Sequence, residues 1–89
     1  INIAVNEGEQ HKIIQDLQNT AEFKDSLEII KIDGLRVEYP FGFGLMRASN
    51  TTPVIVLRFE ADSELNLTKI QSEFKSILST KVRSEKIPF

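Results

Sequence analysis

The chain is predicted to fold as an α+β domain, a mainly antiparallel sheet with two helices on one face. Three observations predict this. Two stretches, one near each end, repeat apolar residues at helical spacing. Around and between them lie five strand-like runs, two of which are separated only by Asp33-Gly34, a dipeptide that favours an antiparallel hairpin. The resulting order, β-α-β-β-β-β-α, lets one sheet bury both helical stripes.

Each element has its own justification. Ile1, Ile3 and Val5 alternate with Asn2 and Ala4, the period of a half-buried strand, until Asn6-Glu7-Gly8 breaks the run. From Glu9 to about Thr20, Ile13, Ile14, Leu17 and Ala21 fall on one helical face, opposite Lys12, Gln15, Asp16 and Asn19. Glu7 and Glu9 suit the positive end of that helix. His11, the single histidine, sits in its first turn and reads as a surface residue rather than a catalytic base. Leu27–Ile32 and Leu35–Tyr39 are the next strands. A type I′ turn through Asp33-Gly34 would need positive φ at both centres, which makes Asp33 a turn residue rather than a metal ligand. Pro40-Phe41-Gly42 turns the chain into Phe43–Arg47, a shorter strand loosened by Gly44. Val54–Ala61 is the most strand-like run, and its first half is apolar on both faces, as in a central strand covered on both sides. Asp62 or Ser63 then caps a helix to about Thr80, with Leu67, Ile70, Phe74, Ile77 and Leu78 as its stripe and Lys75 and Lys81 near its negative end. Pro88 excludes further helix in the tail.

The totals narrow the function classes. Eighty-nine residues make one small domain. With 40% hydrophobic and 27% charged residues the chain is expected to be ordered. A net charge of −2 argues against a polyanion partner such as nucleic acid. The absence of cysteine excludes disulfides and thiolate metal sites. No apolar run reaches the roughly 20 residues that span a bilayer, and no signal-peptide pattern opens the chain, so a cytoplasmic location without membrane contact is expected. The chain opens on Ile1 without a methionine, which suggests an excised domain that holds only part of a larger site.

Chemistry concentrates in Arg47-Ala48-Ser49-Asn50-Thr51-Thr52-Pro53, between the last two strand-like runs. Arg47 offers a planar fork of donors that matches phosphate or carboxylate oxygens. Ser49, Asn50 and Thr51 add hydroxyl and amide donors, and a tight turn through them can aim backbone N–H groups into one concavity. Thr52 is held extended by Pro53, so the loop should end abruptly on a rigid strand. The competing reading of these seven residues is a solvated turn.

Asp33-Gly34-Leu35-Arg36, then Gly42-Phe43, then Arg47-Ala48-Ser49-Asn50-Thr51-Thr52-Pro53 resembles the C-terminal domain of the α-D-phosphohexomutases, whose members carry Asp-Gly-x-Arg, Gly-Trp and Arg-x-Ser-Asn-Thr-x-Pro. The likeness is tight from Asp33 to Ser63, looser before Glu28, and returns at Pro88-Phe89; it is nearest to the bacterial bifunctional phosphomannomutase/phosphoglucomutase type. Phe43 stands where tryptophan is usual, and Phe41 where a polar residue is common.

The resemblance implies the fourth domain of a four-domain isomerase with a TATA-binding-protein-like fold. Such enzymes interconvert hexose 1-phosphate and 6-phosphate, of mannose or glucose, through a bisphosphorylated sugar. It implies that Arg47, Ser49, Asn50 and Thr51 hold the phosphate that is not being transferred and that the domain closes over the cleft. The transferring phosphoserine and the Mg²⁺ ligands would lie in the other three domains, leaving no catalytic residue, metal or cofactor here and an isolated domain that is inactive. The alternative is a small non-catalytic module, for nucleic acid or a regulatory ligand, in which the loop is merely structural; Arg36, Arg47, Arg58, Tyr39 and Phe43 could be read as a base-stacking surface. The carboxylate pairs Glu7 with Glu9 and Glu60 with Asp62 are weak candidates for a metal site, having no histidine or cysteine beside them.

Overall fold

In the computed structural model, which describes all residues from Ile1 to Phe89, the elements are β1 (Asn2–Ala4), α1 (Glu9–Thr20), β2 (Glu28–Ile30), β3 (Leu35–Tyr39), β4 (Gly42–Ala48), β5 (Val54–Ala61) and α2 (Glu64–Leu78), followed by one 3₁₀ turn, Ser84–Lys86. The strands form one sheet in the order β1-β5-β4-β3-β2, and every neighbouring pair is antiparallel. Three consecutive hairpins build β2 to β5, and the first strand returns to pair with the last. The α+β expectation therefore holds.

Alternation places the core. Leu35, Val37, Tyr39, Met46, Ile55, Leu57 and Ile3 point to the helical side and are buried. They meet Ile13, Ile14 and Leu17 of α1 and Ile70, Phe74 and Leu78 of α2 in one cluster. The period-2 and helical patterns succeed because each element buries one face only. Ser63 caps α2, its side chain accepting from the Asn66 amide at 3.1 Å. The opposite sheet face carries Arg36, Glu38, Phe43, Leu45, Arg47, Val56, Arg58 and Glu60, partly or fully exposed. Val54 and Val56 are only half-buried, so within this chain β5 is central but not covered on both sides.

Several local expectations are corrected. β2 is shorter than Leu27–Ile32, and Ile32 is 93% exposed in the loop that follows. No residue other than glycine has positive φ, so Asp33 is not in a type I′ turn; of the Asp33-Gly34 pair only Gly34 is left-handed, at φ 87°. Pairing stops at Ile30 opposite Arg36, which makes this a longer connection. A Cβ on Gly34 would run into the Met46 carbonyl and lie 2.9 Å from the Arg47 Cα, so glycine lets this connection press against the start of the Arg47 loop. Gly44 does not loosen β4, which extends over seven residues. It makes room for Phe74: a Cβ there would strike that ring, 2.6 Å from its Cζ. The second helix ends at Leu78 rather than Thr80. In the tail, Ile87 is buried and Phe89 packs edge-on against Phe59, with centroids 5.1 Å apart.

One partly buried polar bracket ties the layers together. The Tyr39 hydroxyl donates to Glu73 Oε1 at 2.5 Å, and the Lys24 amide donates to Glu73 Oε2 at 3.0 Å. A single α2 carboxylate thus joins β3 to the segment after α1. Burial, and then the hydrogen bond and negative charge of Glu73 with a smaller contribution from Asp25, push the Tyr39 hydroxyl well above its usual range. Because the folded state holds this proton more tightly than the unfolded chain, its contribution is complete below pH of about 10 and declines as pH rises beyond that. Above that point each pH unit is expected to remove up to roughly 1.4 kcal/mol through Tyr39. Urea unfolding of the native chain and of Tyr39→Phe across pH 9 to 11 checks this: the variant should show the shallower decline, and identical slopes would refute it.

Candidate functional site

The hairpin between β4 and β5 is closed at its base by the Ser49 amide donating to the Val54 carbonyl at 3.1 Å. Beyond that bond the chain folds around one oxygen. Ser49 Oγ accepts from the Thr51 amide at 3.3 Å and the Thr52 amide at 3.2 Å, and lies 3.1 Å from Thr52 Oγ1 and 3.4 Å from Thr51 Oγ1. Two successive backbone donors therefore converge on one point, as a tight turn of small polar residues predicts. The point is filled from within by the Ser49 hydroxyl oxygen, which takes both amides. At 3.3 and 3.2 Å both bonds lie at the long end of the ordinary range. Pro53 does not itself begin β5, but its carbonyl accepts from the Val5 amide at 2.9 Å and ties the loop exit to the strand end of β1.

Asn50 is exposed at the tip, and neither its backbone N–H nor its side-chain amide bonds to the protein. Arg47 precedes the turn on the open face of the sheet, half-exposed and opposite Val56. Its guanidinium makes no hydrogen bond or ion pair, and it is the only one of the four arginines without a carboxylate. The sequence explains why. Arg36 reaches Glu38 at 3.0 Å and Arg58 reaches Glu60 at 3.4 Å, each two residues along its own strand and on the same face. In the third such position the residue is Ser49, so the Arg47 charge is left uncompensated. A guanidinium folded onto a carboxylate would have spoiled an anion site, and that arrangement does not occur.

The loop also rests on a residue that sequence reasoning passed over. Gln10, in the first turn of α1 and 95% buried by its 5% exposure, donates through Nε2 to the Ser49 and Thr52 carbonyls, both at 3.2 Å. A signal existed: positions 10, 13, 14 and 17 share one helical face, and a polar residue on an apolar stripe needs a partner. Gln18, two turns later, does the same for the other loop at this end of the sheet, donating to the Gly34 carbonyl at 2.8 Å and the Lys31 carbonyl at 3.1 Å. Between the two loops runs a shallow groove lined by His11, Gln15, Gln18, Asp33 and Asn50. His11 is exposed on its wall, as expected of a surface residue.

Other candidate chemistry is absent from the geometry. No three His, Asp or Glu side chains converge where they could hold a metal ion. Three of the four paired carboxylates have structural partners: Glu9 accepts from the Asn6 amide, Asp62 from the Asn66 side chain, and Glu60 faces Arg58. A base-stacking platform needs an open ring. The Phe43 face is taken by the Arg36 guanidinium at 4.1 Å, and Tyr39 is buried, stacked with Phe41. No helix is long and apolar enough to cross a membrane.

Comparison with known proteins supplies a second line of observation. A family model described as phosphoglucomutase/phosphomannomutase, C-terminal domain, matches residues 1–77. A phosphoglucomutase of Neisseria meningitidis serogroup A is 56% identical over 81 residues, covering 90% of this chain and 18% of that protein. A phosphomannomutase/phosphoglucomutase of Pseudomonas aeruginosa is 48% identical over all 89 residues, 19% of its own length. The crystal structure of a phosphoglucomutase/phosphomannomutase family protein from Burkholderia thailandensis superposes with a TM-score of 0.78 at 49% identity, covering 90% of this chain and 17% of that one. The chain thus spans under a fifth of the length of the curated relatives it matches.

Proposed function

Since the chain belongs to the phosphoglucomutase/phosphomannomutase C-terminal domain family, we propose that its Arg47–Thr51 loop anchors the phosphate that is not being transferred while a hexose phosphate reacts elsewhere in the same enzyme. The observation that carries this reading is the uncompensated Arg47 guanidinium beside a turn whose Asn50 donors are unused. A mutase acting through a bisphosphorylated sugar must hold one phosphate while the other reacts, then accept the intermediate turned end for end. Its anchor must read tetrahedral oxygens and ignore the carbon that carries them. A guanidinium fork with small amide and hydroxyl donors does this. Ser49 enters by exchange: a phosphate oxygen takes the Thr51 and Thr52 amides from its Oγ, and the freed hydroxyl donates to the same phosphate.

Binding at this remote group helps place the reacting one. Each charge-assisted bond contributes roughly 1.5–3 kcal/mol net. The remaining domains, mannose or glucose phosphate as substrate, and closure of this domain over the cleft complete the proposal. The Mg²⁺ that such an enzyme uses does not fit here: the loop offers a cation and N–H donors, and no carboxylate cluster lies near it. Its ligands would belong to the other domains.

The test is titration of the ¹⁵N-labelled chain with inorganic phosphate at low ionic strength. Amide shifts confined to Arg47–Thr51, saturating at millimolar phosphate or above, are expected, because an isolated subsite spends much of its contact energy on immobilising the ligand. The same chain should not turn over glucose 1-phosphate. Absence of shifts in this segment would leave the loop as a plain connection.

A further inference from the structure

We infer that Gln10 is the positioning residue of this loop, setting which of its backbone groups face an anion; the inference rests on the phosphate reading above. Gln10 lies beneath the turn, and its Nε2 donates to the Ser49 and Thr52 carbonyls. Two converging acceptors require the amide nitrogen there, since the flipped amide would set oxygen against oxygen. No peptide bond in the chain is cis. In a trans peptide the C=O and the following N–H point in opposite directions. Drawing the Ser49 carbonyl down to Gln10 therefore turns the Asn50 N–H away from the protein, and that is the loop amide left without a partner.

This arrangement is not what packing alone would favour. Gln10 Oε1 is buried and has no donor, which is unfavourable for a side chain so enclosed. A methionine of similar length would fill the space without an orphaned acceptor and would lack only the two bonds to the loop. The exchange therefore separates stability from orientation. Gln10 touches no ligand in this scheme; it acts through the Ser49–Asn50 peptide.

The experiment is phosphate titration of the native chain and of Gln10→Met, read by ¹H–¹⁵N spectra, with thermal unfolding followed in parallel. Unfolding should change little, because two lost bonds are offset by the removed orphan. Phosphate affinity should fall about three- to tenfold, the worth of roughly one backbone donor. The Asn50 amide should lose its phosphate-induced shift while the Arg47 side-chain Nε keeps its own. Equal affinity and an equal Asn50 shift in the variant would overturn the positioning role and leave the anchor intact. Absence of any native-chain shift across Arg47–Thr51 would instead overturn the anchor and this inference with it. Gln10→Leu carries the same comparison should the methionine variant not fold.

Discussion

An Arg47→Ala variant is expected to lose most phosphate binding while keeping its fold. The side chain makes no hydrogen bond or ion pair within the domain, and its strand neighbours Met46 and Ala48 supply the contacts to the core side. Truncation removes the only free guanidinium of the chain from a site whose other donors are neutral. At roughly 1.5–3 kcal/mol for a charge-assisted contact, affinity should fall on the order of 10- to 150-fold. In an enzyme that carries this domain, the same loss should appear in kcat/KM for both mannose and glucose phosphates, because the anchor reads phosphate and not sugar. Arg47→Lys restores charge without the fork and should recover only part of it. Phosphate titration and steady-state kinetics check the outcome. Unchanged values for Arg47→Ala would remove this residue from the site.

Phe74→Ala acts on the fold instead, and a loss of about 3–5 kcal/mol is expected. Phe74 is fully buried; its ring lies 5.1 Å from those of Phe23 and Phe59 and closes over Gly44. One side chain thus joins α2, β4, β5 and the segment after α1. A chain of this length has a total stability of roughly 4–13 kcal/mol, so the cavity should remove a large share of it. Urea unfolding followed by circular dichroism measures this. A shift below about 1 kcal/mol would mean that the ring is not the centre of the core, since buried phenylalanines do not come out so cheaply. The two variants are complementary: Arg47→Ala should silence the loop in an intact domain, whereas Phe74→Ala should destabilise the sheet that presents it.

Much of this was legible in the chain. Element type followed from period: alternating residues in β1 and β3 and helical stripes in α1 and α2, with the α2 cap narrowed to Asp62 or Ser63 and decided for Ser63 by the structure. The loop was legible because its chemistry is local. Arg47 lacks a carboxylate two residues on, where Arg36 and Arg58 have one, and this can be read directly from Arg-x-Ser against Arg-x-Glu. What escaped is what depends on residues far apart. Gly44 reads as a weak point in a strand until Phe74 is seen against it. Asp33-Gly34 reads as a two-residue turn until Gln18 and the Arg47 backbone are seen to shape a longer one.

Period and side-chain chemistry are properties of a few adjacent residues, and from them came the α+β class, the element order and the set of donors at the tip of the last hairpin. Orientation is another matter. Which way the Ser49 carbonyl turns, whether its hydroxyl looks inward, and that Gln10 lies beneath it are settled only when α1 packs across the sheet and brings together groups 39 and 42 residues apart. A hydrogen bond fixes direction only between partners already held in place, and it is the buried core that holds them.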